Sequence, residues 1–154
     1  AVTEGDSVLA GCAYFPAITE IVAAAVWEGC FWNDTRCRVS STATIAESTV
    51  TITDDRFEGR PDRATAWHQL ASRASVARTW GDCYGYLLLA TGRADVMVDD
   101  VAAPWDSAAL YPIVTEAGGS FTDWSVSATA FGGDIIATNA ILAKPVRDIL
   151  VQPA

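Results

Sequence analysis

Residues Gly81 to Gly119, GDCYGYLLLATGRADVMVDDVAAPWDSAALYPIVTEAGG, decide how the chain folds. They read as two short helices wrapped around one buried strand, with an aspartate wherever one element gives way to the next. Leu87 to Ala90 continues helically to a stop at Gly92, which accepts the left-handed cap conformation that other residues resist. Val96 to Val98 is an apolar run of strand length. Pro104-Trp105-Asp106 follows, and then Ala109, Leu110, Ile113, Val114 and Ala117 recur at three- and four-residue spacing as far as Gly118-Gly119. This spacing predicts one helix with Asp106 at its mouth. Pro112 falls inside that helix, removes a backbone donor, and predicts a kink or a first-turn irregularity.

Toward the N-terminus, Val8 to Phe15 is an apolar strand ended by Pro16, and Glu20 to Trp27 is a second such run. Asn33-Asp34 are turn residues, so Cys30 to Val39 reads as a hairpin with a polar tip. Ser40 to Ala46 is a polar loop, and Thr49 to Thr53 carries the β-branched alternation of a strand. Asp54-Asp55-Arg56 reads as a solvated loop. Pro61 opens a helix to about Ser72, with Asp62 favourable in its first turn, and Val76 to Thr79 is the strand that leads to Gly81. Beyond Gly119, Ser120 to Asp123 and Ile135 to Thr138 are strands, and Pro145 begins a last short helix. Strand–helix alternation argues an α/β class.

The chain has 154 residues, 51% of them hydrophobic, which is the size of one domain able to bury about two-thirds of its unfolded surface. Its net charge is −9, with ten basic residues scattered along it, so nucleic acid is excluded as a natural partner. No apolar stretch approaches the ~20 residues of a membrane helix and no signal-peptide pattern opens the chain, so it reads as cytoplasmic. Cys12, Cys30, Cys37 and Cys83 form neither a C-x-x-C pair nor a metal knuckle, and are expected as free, buried thiols.

His68 is the single histidine, far from any nucleophile elbow, and reads as structural. Zinc chemistry lacks grouped His and Cys ligands. Carboxylates remain, and their oxygens suit Mg²⁺, which would stand between an acidic site and an anionic phosphate. Asp82, Asp99 and Asp106 lie at three element junctions and are expected around one cleft. For each, a capping or turn role stands beside a ligand role.

WDSAALYPIVTEAGG resembles the second signature of the inositol monophosphatase family, Trp-Asp-x-Ala-Ala followed by Glu-Ala-Gly-Gly. Arg78 to Tyr86, then ATGRADVMVDD, and Gly133 to Asn139 (GDIIATN) are similar to the histidinol-phosphate phosphatase branch, and the likeness runs from about Val8 to Ile141. The resemblance implies a layered α-β-α-β sandwich, magnesium-dependent hydrolysis of a small phosphate monoester, and a magnesium-ligand role for Asp106. It implies that Asp99 contacts the substrate's alcohol part and that the Gly81–Gly85 turn, with Asp82, Cys83 and Tyr84, closes on that part. For histidinol phosphate, Asp82 or Asp99 would pair with an ammonium or imidazolium group.

The sequence departs from the family at one point. The signature Asp-Pro-Ile-Asp-Gly-Thr, with its upstream Glu-Glu pair, supplies most of the metal ligands and has no counterpart here. The chain is therefore expected to be the C-terminal part of such an enzyme, inactive alone. Histidinol phosphatase is the expected activity. Inositol-1-phosphate phosphatase and a non-catalytic half that needs a partner segment are the alternatives. A homodimer is expected, with an N-terminal segment in trans as a further option.

Overall fold

The structure is a computed structural model that describes residues 1–151. Strands β1 (Val2–Glu4), β2 (Ser7–Phe15), β3 (Glu20–Ala25), β4 (Gly29–Trp32) and β5 (Thr35–Arg36) form an antiparallel meander in chain order. Alternation along β2 buries Gly11 and Ala13 and leaves Cys12 and Tyr14 on the opposite face. The β4–β5 turn places Asn33 and Asp34 at φ +43° and +64°, a left-handed pair that short polar side chains tolerate. Asn33 locks it: its Oδ1 accepts from the Ile21 N–H at 2.9 Å and its Nδ2 donates to the Thr19 carbonyl at 3.2 Å.

A second sheet contains β6 (Thr49–Ile52), β7 (Val76–Thr79), β8 (Val96–Asp99), β9 (Gly119–Thr122) and β10 (Ile135–Asn139), in the order β7-β6-β8-β10-β9. β6 is parallel to β7 and β8, whereas β10 is antiparallel to β8 and β9. The parallel pairs need crossovers. Helix α1 (Pro61–Arg73) supplies one, and α2 (Tyr84–Ala90) the other.

Helices α3 (Pro104–Ser107), α4 (Leu110–Glu116) and α5 (Ala143–Leu150) complete the chain. α2 and α4 lie between the two sheets. Leu87, Leu110, Ile113 and Val114 meet Val22 and Ala24 on one side and Met97, Phe121 and Ile135 on the other. α1 and α5 cover the far face of the second sheet, where Trp67, Leu70, Val146 and Ile149 pack on Val50, Ile52, Val96 and Val98. The result is four alternating layers, the expected α/β sandwich. β8 reads as an unbroken apolar run because both its faces are covered.

The single helix expected from Ala109 onward with Asp106 at its mouth is two helices, broken at Ala108–Ala109. Pro112 has no N–H for the Ala108 carbonyl and its ring crowds that position. The chain therefore restarts with Pro112 in the first turn of α4, where the missing donor costs little. Other boundaries also shift. β3 ends at Ala25 because Trp27 is left-handed (φ +70°), the hairpin ends at Arg36 because Val39 leaves to donate to the Ala117 carbonyl, and α5 begins two residues before Pro145. The cysteines are free, but Cys12 is exposed, contrary to expectation, since it falls on the outward register of β2.

Gly11 ties the first sheet to the helices. A Cβ there would lie 2.0 Å from the Ala109 carbonyl oxygen, so only glycine lets β2 touch the α3–α4 junction. Among the described residues, no helix is long and apolar enough to cross a membrane.

Candidate functional site

The parallel strands β6 and β8 end at Ile52 and Asp99, with Thr53 just past β6, and open α/β sheets bind ligands beyond the carboxyl ends of such strands. A cleft of about 330 Å³ lies there. Asp82, Cys83 and Tyr86 enter it from the start of α2, Trp105 and Asp106 from α3, and Cys12 and Ala13 from β2. The chain thus brings Asp82, Cys83, Asp99 and Asp106 to one cleft.

Asp82 is held at φ +56°, a conformation that Asp tolerates better than most side chains. Cys83 and Tyr86 are three residues apart and share the face of α2 toward the cleft. The Cys83 thiol is pushed up by burial, and the charges of Asp82 and Asp106 add to that rise. It stays a protonated lining group, not a nucleophile.

Asp99 is largely buried at the end of β8, and the Tyr86 hydroxyl donates to its Oδ2 at 2.5 Å. Burial raises its carboxyl above the ordinary range. The nearby polar groups of Thr53 and the hydrogen bond from Tyr86 oppose the rise, and the Asp82 charge adds to it. Burial, and then the adjoining Asp99, push the Tyr86 phenol well above its ordinary value, so Tyr86 remains a donor. The backbone of Asp99 is fixed as well, because Trp124 Nε1 donates to its carbonyl at 3.1 Å.

Asp100 is turned away from this cleft. Its Oδ1 takes Arg60 Nη1 at 2.9 Å and Arg63 Nη1 at 2.8 Å, and the same Arg63 nitrogen reaches Asp134 Oδ2 at 2.8 Å while the guanidinium lies 4.5 Å from the Trp124 ring centre. This network anchors the loop from β8 to α3 that presents Asp106.

Asp106 is the third residue of α3 and is exposed at the cleft mouth. Its Oδ2 accepts from the Ala103 N–H at 3.2 Å, which is capping from inside the first turn and not from ahead of it. The second carboxylate oxygen has room for a ligand. Trp105 beside it is 84% exposed.

Tyr84 is the exception among the expected site residues. It is one position, about 100° of helix, from Cys83 and points to the other side. There its ring packs edge-on to Phe15 at 5.1 Å and against Trp80 at 5.7 Å, and its hydroxyl donates to Glu20 Oε1 at 3.3 Å. It lines a separate surface depression with Tyr14, Pro16 and Ile18. His68 lies on α1 with Nδ1 2.7 Å from the Ala64 carbonyl, remote from the cleft, and Asp54 pairs with Arg56 in an exposed loop.

The sequence pattern does not single out Tyr86, Thr53 or Cys12 as site residues, and Trp105 enters it only as the first residue of the quoted signature. Tyr86 was legible in principle, since it lies one turn after Asp82 and Cys83; Thr53 and Cys12 reach the cleft only through sheet assembly.

The residues do not complete a metal site. Among the described residues, no group of three or more His, Cys, Asp or Glu side chains lies close enough to hold an ion. Asp106 is one oxygen donor of the right hardness, not a coordination shell.

The sequence pattern of the inositol monophosphatase family matches residues 1–150. The chain belongs to that family. It is 39% identical over 133 residues to the histidinol-phosphatase of Chlorobaculum parvum, covering 85% of this chain and 51% of that protein. It is 32% identical over 156 residues to the fructose-1,6-bisphosphatase/inositol-1-monophosphatase of Thermotoga maritima, covering 97% and 58%. The crystal structure of the extragenic suppressor protein suhB from Bartonella henselae superimposes with a TM-score of 0.87 at 28% identity, covering 95% of this chain and 57% of that one. The chain therefore spans about half the length of the curated relatives it matches. Family members are phosphatases and in general magnesium-dependent.

Proposed function

We propose that this chain is the C-terminal part of a magnesium-dependent phosphomonoesterase whose substrate is histidinol phosphate. The observation that carries this reading is the convergence of Asp82, Asp99 and Asp106 on one cleft at the carboxyl ends of parallel strands. The identity to the Chlorobaculum parvum histidinol-phosphatase favours that substrate over inositol 1-phosphate.

In this reading Asp106 gives one carboxylate ligand to magnesium, and the remaining ligands come from outside the described residues. The ion, when bound, would neutralise phosphoryl oxygens that an acidic cleft otherwise repels. The chain's own residues bind and orient the alcohol part. Asp82 offers an acceptor and a negative charge to an ammonium group, and Cys83 gives a small polar wall. Asp99, pinned by Tyr86, accepts a second donor or an imidazolium. A cationic alcohol part suits three carboxylates better than an uncharged polyol does.

The test compares kcat/KM for histidinol phosphate and inositol 1-phosphate in the intact protein with Mg²⁺. Preference for histidinol phosphate by tenfold or more is expected. Equal or reversed preference would leave the sibling activity. A second reading, a half that binds without hydrolysing, is favoured for the isolated chain by its incomplete ligand set.

A further inference from the structure

Cys30 and Cys37 flank the β4–β5 hairpin. The register Phe31↔Arg36 and Trp32↔Thr35 extends by one step to put them directly opposite each other, and the Cys37 N–H donates to the Cys30 carbonyl at 2.9 Å. Their Sγ atoms are 3.4 Å apart. Opposed residues of a hydrogen-bonded antiparallel pair have Cα atoms ~5.5 Å apart, inside the ~4.4–6.8 Å that a disulfide spans, so bonding requires closure of the sulfurs and no change of strand register. Cys30 is fully buried, whereas Cys37 is partly exposed.

From this geometry we infer that Cys30 and Cys37 are a reversible oxidation site, a dithiol that a peroxide converts to an intrachain disulfide. Cys37 is the sulfur that reacts first. It is the accessible member, and the contact with Cys30 holds its thiol below the ordinary range with help from the Arg93 charge. Cys30 is pushed far up, first by the same contact, then by burial and by the charges of Cys37 and Glu116. The first of these causes disappears once Cys37 is no longer a thiolate.

The chemistry balances. The Cys37 thiolate attacks one peroxide oxygen, the O–O bond breaks, and the leaving hydroxide takes a proton, giving a sulfenic acid. The Cys30 sulfur then attacks the Cys37 sulfur. The S–S bond forms, the S–O bond breaks, and hydroxide leaves with the Cys30 proton as water. Two electrons pass from the thiols to the peroxide, and a dithiol reductant returns them. The other two cysteines take no part: Cys12 lies on the opposite face of the sheet from Cys30, since Cys12 pairs with Ala23 whereas Cys30 pairs with Ala24, and Cys83 is raised by burial and by two aspartates.

This inference does not depend on the phosphatase reading, because its test needs no activity. The reduced protein is treated with hydrogen peroxide, and free thiols, intact mass and thermal midpoint are measured before and after dithiothreitol. Thiols should fall from four to two, the mass should drop by about 2 Da, and the midpoint should rise by about 5 °C, all reversed by the reductant. Trypsin cuts after Arg36 and Arg38, so the oxidised digest should join the peptide ending at Arg36 to Cys37-Arg38. The join should persist in Cys12→Ser and vanish in Cys30→Ser and in Cys37→Ser. Four titratable thiols after treatment, or a join that survives Cys30→Ser and is lost in Cys12→Ser, overturns the inference even if either core variant folds poorly.

Discussion

The Tyr86 hydroxyl is 2.5 Å from Asp99 Oδ2, and this bond joins the first turn of α2 to the end of β8 beneath the cleft. It places a donor on a carboxylate that burial would otherwise drive toward its neutral form. Folding raises the affinity of Asp99 for its proton. Stability from this group is therefore full below its ordinary value of 3.8 and is lost as pH rises through the higher folded value.

Asp99→Asn removes that loss. The variant should gain thermal stability over wild type at pH 7, and the gain should shrink as pH falls toward 4, because wild-type Asp99 is then neutral in both states. Each kcal/mol corresponds to roughly 2–4 °C in a chain of this size. Tyr86→Phe should act oppositely, destabilising by about 1–3 kcal/mol at pH 7 and less in acid. Melting curves of the three proteins across pH 4–7 decide; parallel curves would remove Asp99 as a titrating group.

Gly11→Ala should damage the fold from outside the cleft. The new Cβ would meet backbone, the Ala109 carbonyl at 2.0 Å, not a side chain that can swing aside. β2 and the α3–α4 junction must separate, at a cost of about 1–3 kcal/mol or more for overpacking. Denaturant midpoints measure it. A neutral substitution would mean that the contact between the first sheet and α4 is looser than described.

Much of this arrangement is legible in the sequence, and what is not has physical reasons. The apolar run Val96–Val98 and the cap at Gly92 announce β8 and α2 because both depend on neighbours within one turn or strand. The split at Ala108–Ala109 is half announced by Pro112: the periodicity passes through the proline, but where the chain restarts depends on packing against β2. Asp99 and Asp106 are seven residues apart and their meeting in one cleft is nearly local. Tyr84 and Tyr86 look alike in sequence, and only the phase of α2, fixed by burial of Leu87 and Leu89, sends one to the cleft and the other to Phe15 and Trp80. Cys30 and Cys37 are seven residues apart as well, with no spacing motif; the tight Asn33-Asp34 turn is what makes them opposite.

The isolated 154-residue chain should turn over histidinol phosphate far more slowly than ~1 per second, the low end of ordinary enzymes. One exposed carboxylate does not hold a cation that demands a near-octahedral oxygen shell. Phosphate release with excess Mg²⁺ measures it. Turnover at an ordinary enzyme rate by this polypeptide alone would show that its own residues suffice.

Asp106 separates the capping role from the ligand role in the intact protein. Asn is as good a helix cap as Asp, and its Oδ1 can keep the bond from the Ala103 N–H, so Asp106→Asn should change stability by less than about 1 kcal/mol. The amide loses the charge that offsets a divalent cation. Activity should therefore fall about a hundredfold or more, and raising Mg²⁺ should restore part of it by mass action. A pure cap predicts the reverse, with Asp106→Asn nearly silent in rate and Asp106→Ala costly in melting temperature. At 3.2 Å, from an exposed carboxylate in a four-residue helix, the capping bond is too weak to explain a large loss of rate. Rates of both variants against Mg²⁺ concentration, read beside their melting temperatures, distinguish the two roles, and a fully active Asp106→Asn would end the ligand assignment.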